Sequence, residues 1–326
     1  MTRHLLLRLG SLLVSLALAG VVVFGVLRLL PGDSAGTSLG VGTTADQLAQ
    51  LRSELGTDQP VLTQLSQWVT GLARGDLGTS FVSRLPVADL IGQKLPITLP
   101  LSLAAFVLAV AVSVPLGIVA ATRRRGVVGV VVSAVSQLGV ALPVFWVGVL
   151  LVWVFALRLG WLPPGGFPRR GWADPAAAVR SLALPVVTVA VAMSSVLVRY
   201  VRSATLDVLD QDYLRTARSL GYGRTRALAR HGLRNGAVPV VAILGIELAT
   251  SLLGAVVVEN VFALPGLGTL LLDSVKARDL PVVQALVLAI TAAVLVVNFL
   301  VDLAQRAIDP RLRLAGSGVG VGGGAR

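Results

Sequence analysis

The sequence predicts an all-α integral membrane protein with six transmembrane helices. Three observations carry this. Of 326 residues, 55% are apolar and only 13% are charged, where ordinary soluble domains carry about 25% charged residues. The mean hydropathy of +0.84 is far too apolar for a disordered chain. Six apolar runs approach or exceed the roughly 20 residues that a helix needs to cross about 30 Å of hydrocarbon.

The first run covers residues 9–27 and continues to residue 30 past Arg28. Arg3 and Arg8 resemble the basic start of a signal peptide, and Ala17-Leu18-Ala19 resembles a cleavage site. The apolar stretch outlasts the roughly 7–15 residues of a signal-peptide core, so it is read as a retained span. The second run covers 95–122. The third covers 126–157, longer than a bilayer needs. The fourth covers 181–198. The fifth covers 235–258, interrupted only by Glu247, and the sixth covers 280–301. Pro115, Pro143, Pro185 and Pro239 lie inside these runs, where neighbouring helices can satisfy a freed carbonyl at a kink. Gly139, Gly148, Gly245, Ala249 and Gly254 allow close helix approach.

Charge sets the topology. The net charge of +12 first suggests a nucleic-acid partner. Six spans, however, put both termini on one side. That side holds seventeen of the 28 Lys and Arg and five of the acids, while the other holds eleven and ten. Basic residues in short loops near span ends mark the cytoplasmic side, so both termini are expected inside. Expected regions are therefore 1–30 (tail and first span), 31–94 (extracytoplasmic loop), 95–305 (membrane core) and 306–326 (cytoplasmic tail). The loop from 31 to 94 is polar, with amphipathic stretches around 48–55 and 62–68. The loop 158–180 is rich in Pro and Gly, and the tail from residue 315 is Gly-rich and expected to be disordered.

Much chemistry is excluded. The absence of cysteine removes disulfides, Cys zinc sites and thiol nucleophiles. Two histidines, His4 and His231, do not make a multi-His metal site. No phosphate-binding GxxxxGK[ST], G-x-S-x-G or H-E-x-x-H motif is present, so energy must come from a partner or an ion gradient.

The most informative segment is the Arg-rich cytoplasmic loop 199–235. Leu206, Leu209, Tyr213, Ala217 and Leu220 recur at helical spacing and predict one apolar stripe. Asp207, Asp210 and Asp212 lie early in it and Arg215 and Arg218 late, as the helix dipole favours. Gly221 and Gly223 then break the helix. Only Tyr200, Tyr213 and Tyr222 lie among the arginines, too few for a base-stacking surface, which sets nucleic acid aside. A membrane lipid surface and a cytoplasmic protein partner both remain open on these residues alone.

Residues 212–239, DYLRTARSLGYGRTRALARHGLRNGAVP, resemble the "EAA" loop of bacterial ABC-importer permeases of the dipeptide, oligopeptide and nickel class. Gly221 matches the central Gly of that loop, and Asp212-Tyr213 its acidic-Tyr opening. Ser219-Leu220 departs from the common Ala-Lys. LRLLPGDSA (27–35), LGTDQP (55–60), GDLGTS (75–80), LPITLPLSL (95–103), ENVFALPGLGTLL (259–271), RDLPVVQA (278–285) and DLAQRAIDPRLR (302–313) resemble further family blocks in order. The long first loop is similar to that of the B-type subunit.

The resemblance implies a type I ABC importer permease fold in the bacterial cytoplasmic membrane, forming half of a pathway for di- or oligopeptides. It implies a coupling helix that meets an ATPase through Asp212, Tyr213, Arg215, Thr216, Ala217, Arg218, Leu220, Gly221, Arg234 and Asn235. The implied partners are a second homologous permease, two ATPase subunits or one fused ATPase, and an extracytoplasmic binding protein. ATP and Mg would sit in the ATPases, with no cofactor on this chain. Nickel or another small solute is the same-family alternative.

An ion-coupled secondary transporter is the alternative from another class. It would call for inverted repeats and several intramembrane ionisable residues. Glu247 is the one ionisable residue well inside a run, at an insertion cost of roughly 2.5–3.5 kcal/mol, so a pore-lining or helix-bonded carboxylate is expected. Gln137 and Asn298 are weaker pathway candidates, with interhelical bonding as their plainer role. Trp146, Trp153 and Trp161 read as packing and interfacial residues. Pro265-Gly266 and Gly268 predict a chain reversal. By resemblance, Glu259, Phe262, Pro265, Gly266 and Asp76 lie at an outer gate or binding-protein contact. A structural turn packed on the spans is the other reading of the same residues.

Overall fold

The computed structural model describes residues 2–29 and 58–308, with six single positions between those segments. Most of the amphipathic stretch expected at 48–55, residues 30–35 of the 27–35 block and the tail beyond 308 lie outside the described residues. Among the described residues there are helices and one isolated bridge, Thr79–Pro86, but no strand.

The helices follow the apolar runs and overrun them at the ends. Helix α1 spans Thr2–Leu29, α2 Val61–Ala73, α3 Val87–Thr122, α4 Val127–Ala141 and α5 Val144–Leu151. Helix α5 continues as a π-turn over Val152–Arg158. Helix α6 spans Pro175–Leu209, α7 Asp212–Ser219, α8 Arg224–Ala227, α9 Leu233–Val261, α10 Leu267–Lys276 and α11 Leu280–Ile308.

Four helices are long and apolar enough to cross a membrane among the described residues, or six if each of two bent pairs makes one span. One bent pair explains why the third run exceeds a bilayer thickness. Val127–Ala141 and Val144–Arg158 meet at 104°. Leu142 precedes Pro143 and is extended, at φ −85° and ψ 129°. Clash with the proline ring drives the preceding residue out of the helical region.

Two compact units emerge, each built from several stretches of chain. One comprises Met1–Leu101, Val152–Pro185 and Leu252–Leu295. Its core gathers Val87, Val282, Ala285 and Leu286, with Leu77, Leu90 and Leu270 against them. Helix α2 lies on α1, where Trp68 covers Gly20 and stacks 5.8 Å from Phe24. The other unit comprises Ser102–Leu151, Val186–Ser251 and Val296–Arg326. Its helices approach closely at small residues. A Cβ on Gly117 would come within 2.7 Å of Val201, one on Gly139 would overlap Ser195, and one on Gly245 would overlap Val301. Gly254, in the first unit, has open space beside it and makes no such contact.

Candidate functional site

The Arg-rich loop folds as a tight hairpin between α6 and α9. Helix α6 ends at Leu209, and Asp210 and Gln211 turn the chain. Gln211 is extended and precedes α7, whose first turn carries Asp212. Asp212 pairs with Arg215 at 3.1 Å, and Asp210 with Arg124 of the α3–α4 turn at 3.7 Å. Both pairs are exposed, so each contributes under about 1 kcal/mol.

The turn corrects the expected stripe. One continuous helix through 206–220 would put Tyr213 inward. The break at 210–211 resets the register, and Leu214 takes that place. Leu214 and Ala217 are buried against Val208, Ala227 and Leu228, with Ile118 and Tyr222 packed around them. Burial of one such leucine contributes roughly 1.5–3 kcal/mol. Tyr213 is instead 36% exposed and Leu220 75% exposed. The hairpin therefore covers its own apolar face and leaves these two side chains, with Thr216 and Arg215, on its surface.

Gly221 closes the helix. Its φ is +90°, in the left-handed region that glycine adopts without a Cβ penalty. Its N–H donates to the Arg218 carbonyl at 3.1 Å, and the next N–H, of Tyr222, donates to Ala217 at 3.2 Å. Those two bonds make a Schellman motif, and Tyr222 supplies its apolar contact. Gly232 lets the returning helical segment of the hairpin press on Val208 and Leu228, each 2.7 Å from an added Cβ. The side chains of Arg234 and Asn235 lie outside the described residues.

A second constellation surrounds the predicted reversal after α9. Glu259 is fully buried. Its carboxylate accepts the Thr98 hydroxyl at 2.5 Å, the Gly268 N–H at 2.7 Å and the Thr269 N–H at 3.3 Å. Thr98 Oγ1 in turn accepts the Leu267 N–H at 2.9 Å. Together Glu259 and Thr98 satisfy three backbone donors in the first turn of α10, where a negative charge also suits the helix dipole. Gly266 makes this possible, since a Cβ there would overlap the carboxylate. Phe262 is buried, and its carbonyl accepts the Gly166 N–H at 2.7 Å. Gly165 leaves room for that contact. Pro265 is half-buried.

Two residues here were not singled out from the sequence. Thr98 is a hydroxyl within the LPITLPLSL block, and only its position in an apolar run hinted at a bond. Asp279 directly precedes α11, a position from which a carboxylate can cap a helix. The structure uses its side chain elsewhere. Buried Asp279 accepts the Ser80 hydroxyl and, at 2.9 Å, the Phe81 N–H. Each buried carboxylate thus ties two separate sequence blocks together: 95–103 with 259–271, and 75–80 with 278–285.

The remaining candidates are dispersed. Glu247 on α9 is half-buried and within electrostatic range of Arg199 on α6. Gln137 and Asn298 are exposed. Among the described residues no hydrogen bond joins any two of the three. Asp76 is exposed and accepts the Gly78 N–H at 2.8 Å.

The comparisons decide the family. Residues 113–314 match the family described as "binding-protein-dependent transport system inner membrane component", and residues 1–104 match its N-terminal counterpart. The chain belongs to this family of permeases. A peptide transport system permease protein of Brucella abortus is 39% identical over 318 residues, covering 96% of this chain and 99% of the relative. The glutathione transport system permease GsiC of Salmonella choleraesuis is also 39% identical, over 313 residues, with 96% and 99% covered. A peptide ABC transporter permease of Sinorhizobium fredii is 36% identical, with 95% and 99% covered. The solved inward-facing MetNI methionine ABC transporter has a chain of the same fold, with a TM-score of 0.54. It is 17% identical and covers 68% of this permease and 96% of that chain.

Proposed function

We propose that this permease forms half of the translocation pathway of an ATP-driven importer for di- or oligopeptides. The observation that carries this is the hairpin around α7. It is a short rigid element joined directly to two long helices, terminated by Gly221, with Tyr213 and Leu220 left uncovered. Such an element transmits a rigid-body displacement from a partner into the helices that it joins. The names of the full-length peptide and glutathione relatives support the substrate class.

In this reading the hairpin docks on a cytoplasmic ATPase that binds ATP and Mg. Contact falls to Tyr213, Leu220, Thr216 and the Asp212–Arg215 pair, with Arg218, Arg234 and Asn235 beside them. Ala217 and Gly221 hold the hairpin in shape. A second homologous permease subunit and an extracytoplasmic binding protein complete the assembly. The excess of Lys and Arg on the terminal side supports cytoplasmic termini. The corner built on Glu259, Phe262, Pro265 and Gly266 is assigned to the outer face as a rigid support beneath a gate, since its acid and aromatic ring are turned inward.

The test is uptake of a radiolabelled dipeptide by proteoliposomes holding the assembled complex. Vanadate is expected to abolish uptake, and the permease is expected to co-purify with an ATPase. Uptake that persists without any ATPase overturns the reading in favour of an ion-coupled carrier, and nickel uptake in place of peptide replaces the substrate.

Glu247, with Gln137 and Asn298 as weaker members, is assigned to the pathway. Glu247→Gln is expected to lower dipeptide uptake several-fold while the amount of assembled complex in the membrane holds. Unchanged uptake at normal expression removes Glu247 from the pathway.

A further inference from the structure

The Arg28 end of α1 carries a crevice that the transport reading does not use. It encloses about 280 Å³ and is lined by Phe24, Arg28, Gln64, Trp68, Asp76 and Gln284, among others. That volume lies at the lower edge of ligand pockets, which run about 300–1,000 Å³. It suits a headgroup and leaves longer chains outside.

Three features define the occupant. Arg28 ends the apolar span Leu7–Arg28, of which only 11% is buried within the protein. Val21, Val22 and Val26 on that helix are more than half exposed. Acyl chains therefore run along α1, and the lipid phosphate plane meets the helix near Arg28.

The Arg28 guanidinium lies over the Phe24 ring at 5.1 Å, and its Nε is buried without a hydrogen-bond partner among the described residues. A buried, unpaired donor of a charged group is costly. A guanidinium is also the side chain best shaped to bind a phosphodiester through parallel N–H bonds.

The third feature is Asp76 in the same crevice. One of its oxygens holds the Gly78 N–H, and the side chain is exposed. No ion pair joins Arg28 to Asp76 among the described residues. A crevice with a cation and an acid that leave each other unpaired matches a zwitterion. It disfavours a headgroup whose only charge is negative.

We propose that this crevice binds the headgroup of phosphatidylethanolamine, with the phosphodiester on Arg28 and the ammonium on Asp76. Asp76 thereby takes a lipid, and not the binding protein, as its partner. The acyl chains lie along the exposed valines of α1. The proposal rests on the membrane reading alone and holds for whichever solute is carried, so its failure leaves the transport reading intact.

The experiment is native mass spectrometry of the assembled transporter from nanodiscs holding equal parts phosphatidylethanolamine, phosphatidylglycerol and phosphatidylcholine. Wild type is expected to retain phosphatidylethanolamine in preference to the other two. Arg28→Gln is expected to lower the retained lipid about tenfold, and Arg28→Lys to restore part of it. Asp76→Asn, at an exposed position where folding is not at stake, is expected to keep a bound lipid and lose the preference for ethanolamine over glycerol. The proposal is overturned if wild type shows no headgroup preference, if Arg28→Gln retains the wild-type lipid complement, if Asp76→Asn keeps the preference, or if a saturating dipeptide displaces the lipid.

Discussion

Gly221→Val is expected to reduce peptide uptake about tenfold or more while leaving the permease in the membrane at wild-type amounts. The reasoning isolates the backbone. No atom lies within 4 Å of a Cβ built at Gly221, so a side chain there meets no steric obstacle. Its φ of +90° is the whole difficulty. An L-residue in a left-handed conformation costs roughly 1–2 kcal/mol, and a β-branched one is a genuine outlier.

The strain is relieved by unwinding the end of α7, which frees the Ala217 and Arg218 carbonyls and swings Leu220 away. A cost of 1–2 kcal/mol shifts a local folding equilibrium by about 5–30-fold. Long helices α6 and α9 do not depend on the hairpin for insertion, so membrane levels hold. Asn tolerates the left-handed region better than other non-glycine residues, so Gly221→Asn is expected to keep most of the uptake. Parallel assays of dipeptide uptake and of ATPase co-purification measure the effect. Equal uptake by the Val and Asn variants would separate Gly221 from coupling. Leu220→Asp provides the complementary case, because that side chain is 75% exposed. Its loss touches docking and not folding, and ATPase retention is expected to fall without a change in permease stability.

Much of this architecture is legible in the chain because membrane spans are the strongest periodic signal that a sequence carries. Each apolar run became a helix or a bent pair, and its ends moved outward wherever polar residues could continue the helix beyond the apolar stretch. Helix α3 begins at Val87, eight residues before the charge-free run, since Asp89 and Lys94 are good company for a helix that has left the membrane. Pro143 marked a kink, but its 104° angle depends on what packs around the bend. The break at Asp210-Gln211 carries neither Gly nor Pro, so apolar spacing alone points inward at Tyr213, whereas Leu214 is the residue that is buried. Gly139 and Gly245 announced close approaches, while the partners, Ser195 and Val301, come from other helices and cannot be read from spacing. The same holds for the buried acid. The turn around Pro265-Gly266 was visible, yet the hydroxyl that meets Glu259 lies 161 positions away.

That distant bond gives the second large expectation: Glu259→Ala should be the most destabilising single change in the unit that contains α10. The carboxylate holds the Thr98 hydroxyl and the N–H groups of Gly268 and Thr269, all around a fully buried site. Truncation leaves three donors without their acceptor and removes the charge at the start of α10. A buried donor left unsatisfied costs about 1–3 kcal/mol, and breaking a buried charged constellation typically costs about 3–5 kcal/mol. At about 2–4 °C per kcal/mol, the melting temperature of the purified complex should fall by on the order of 10 °C.

The conservative variants divide the effect. Glu259→Gln keeps the volume and one carbonyl acceptor but turns an NH₂ toward donors, so an intermediate loss is expected. Thr98→Val removes a donor to the acid and the acceptor for Leu267 together, in a shape that still fills the space. If the two side chains act as one constellation, the Glu259→Gln and Thr98→Val losses will not add. The double variant will then melt above the sum of the two single shifts, by the equivalent of about 0.5–3 kcal/mol of coupling. Additive shifts, or a Glu259→Ala protein that melts within a degree or so of wild type, would mean that α10 is held by its apolar contacts with Val87 and Leu286 and not by the acid. A large loss with strong coupling makes the corner a single rigid piece. Motion of α9 at its Glu259 end must then carry α3 and α10 with it, a property that the proposed gate support needs and that a loose turn would lack.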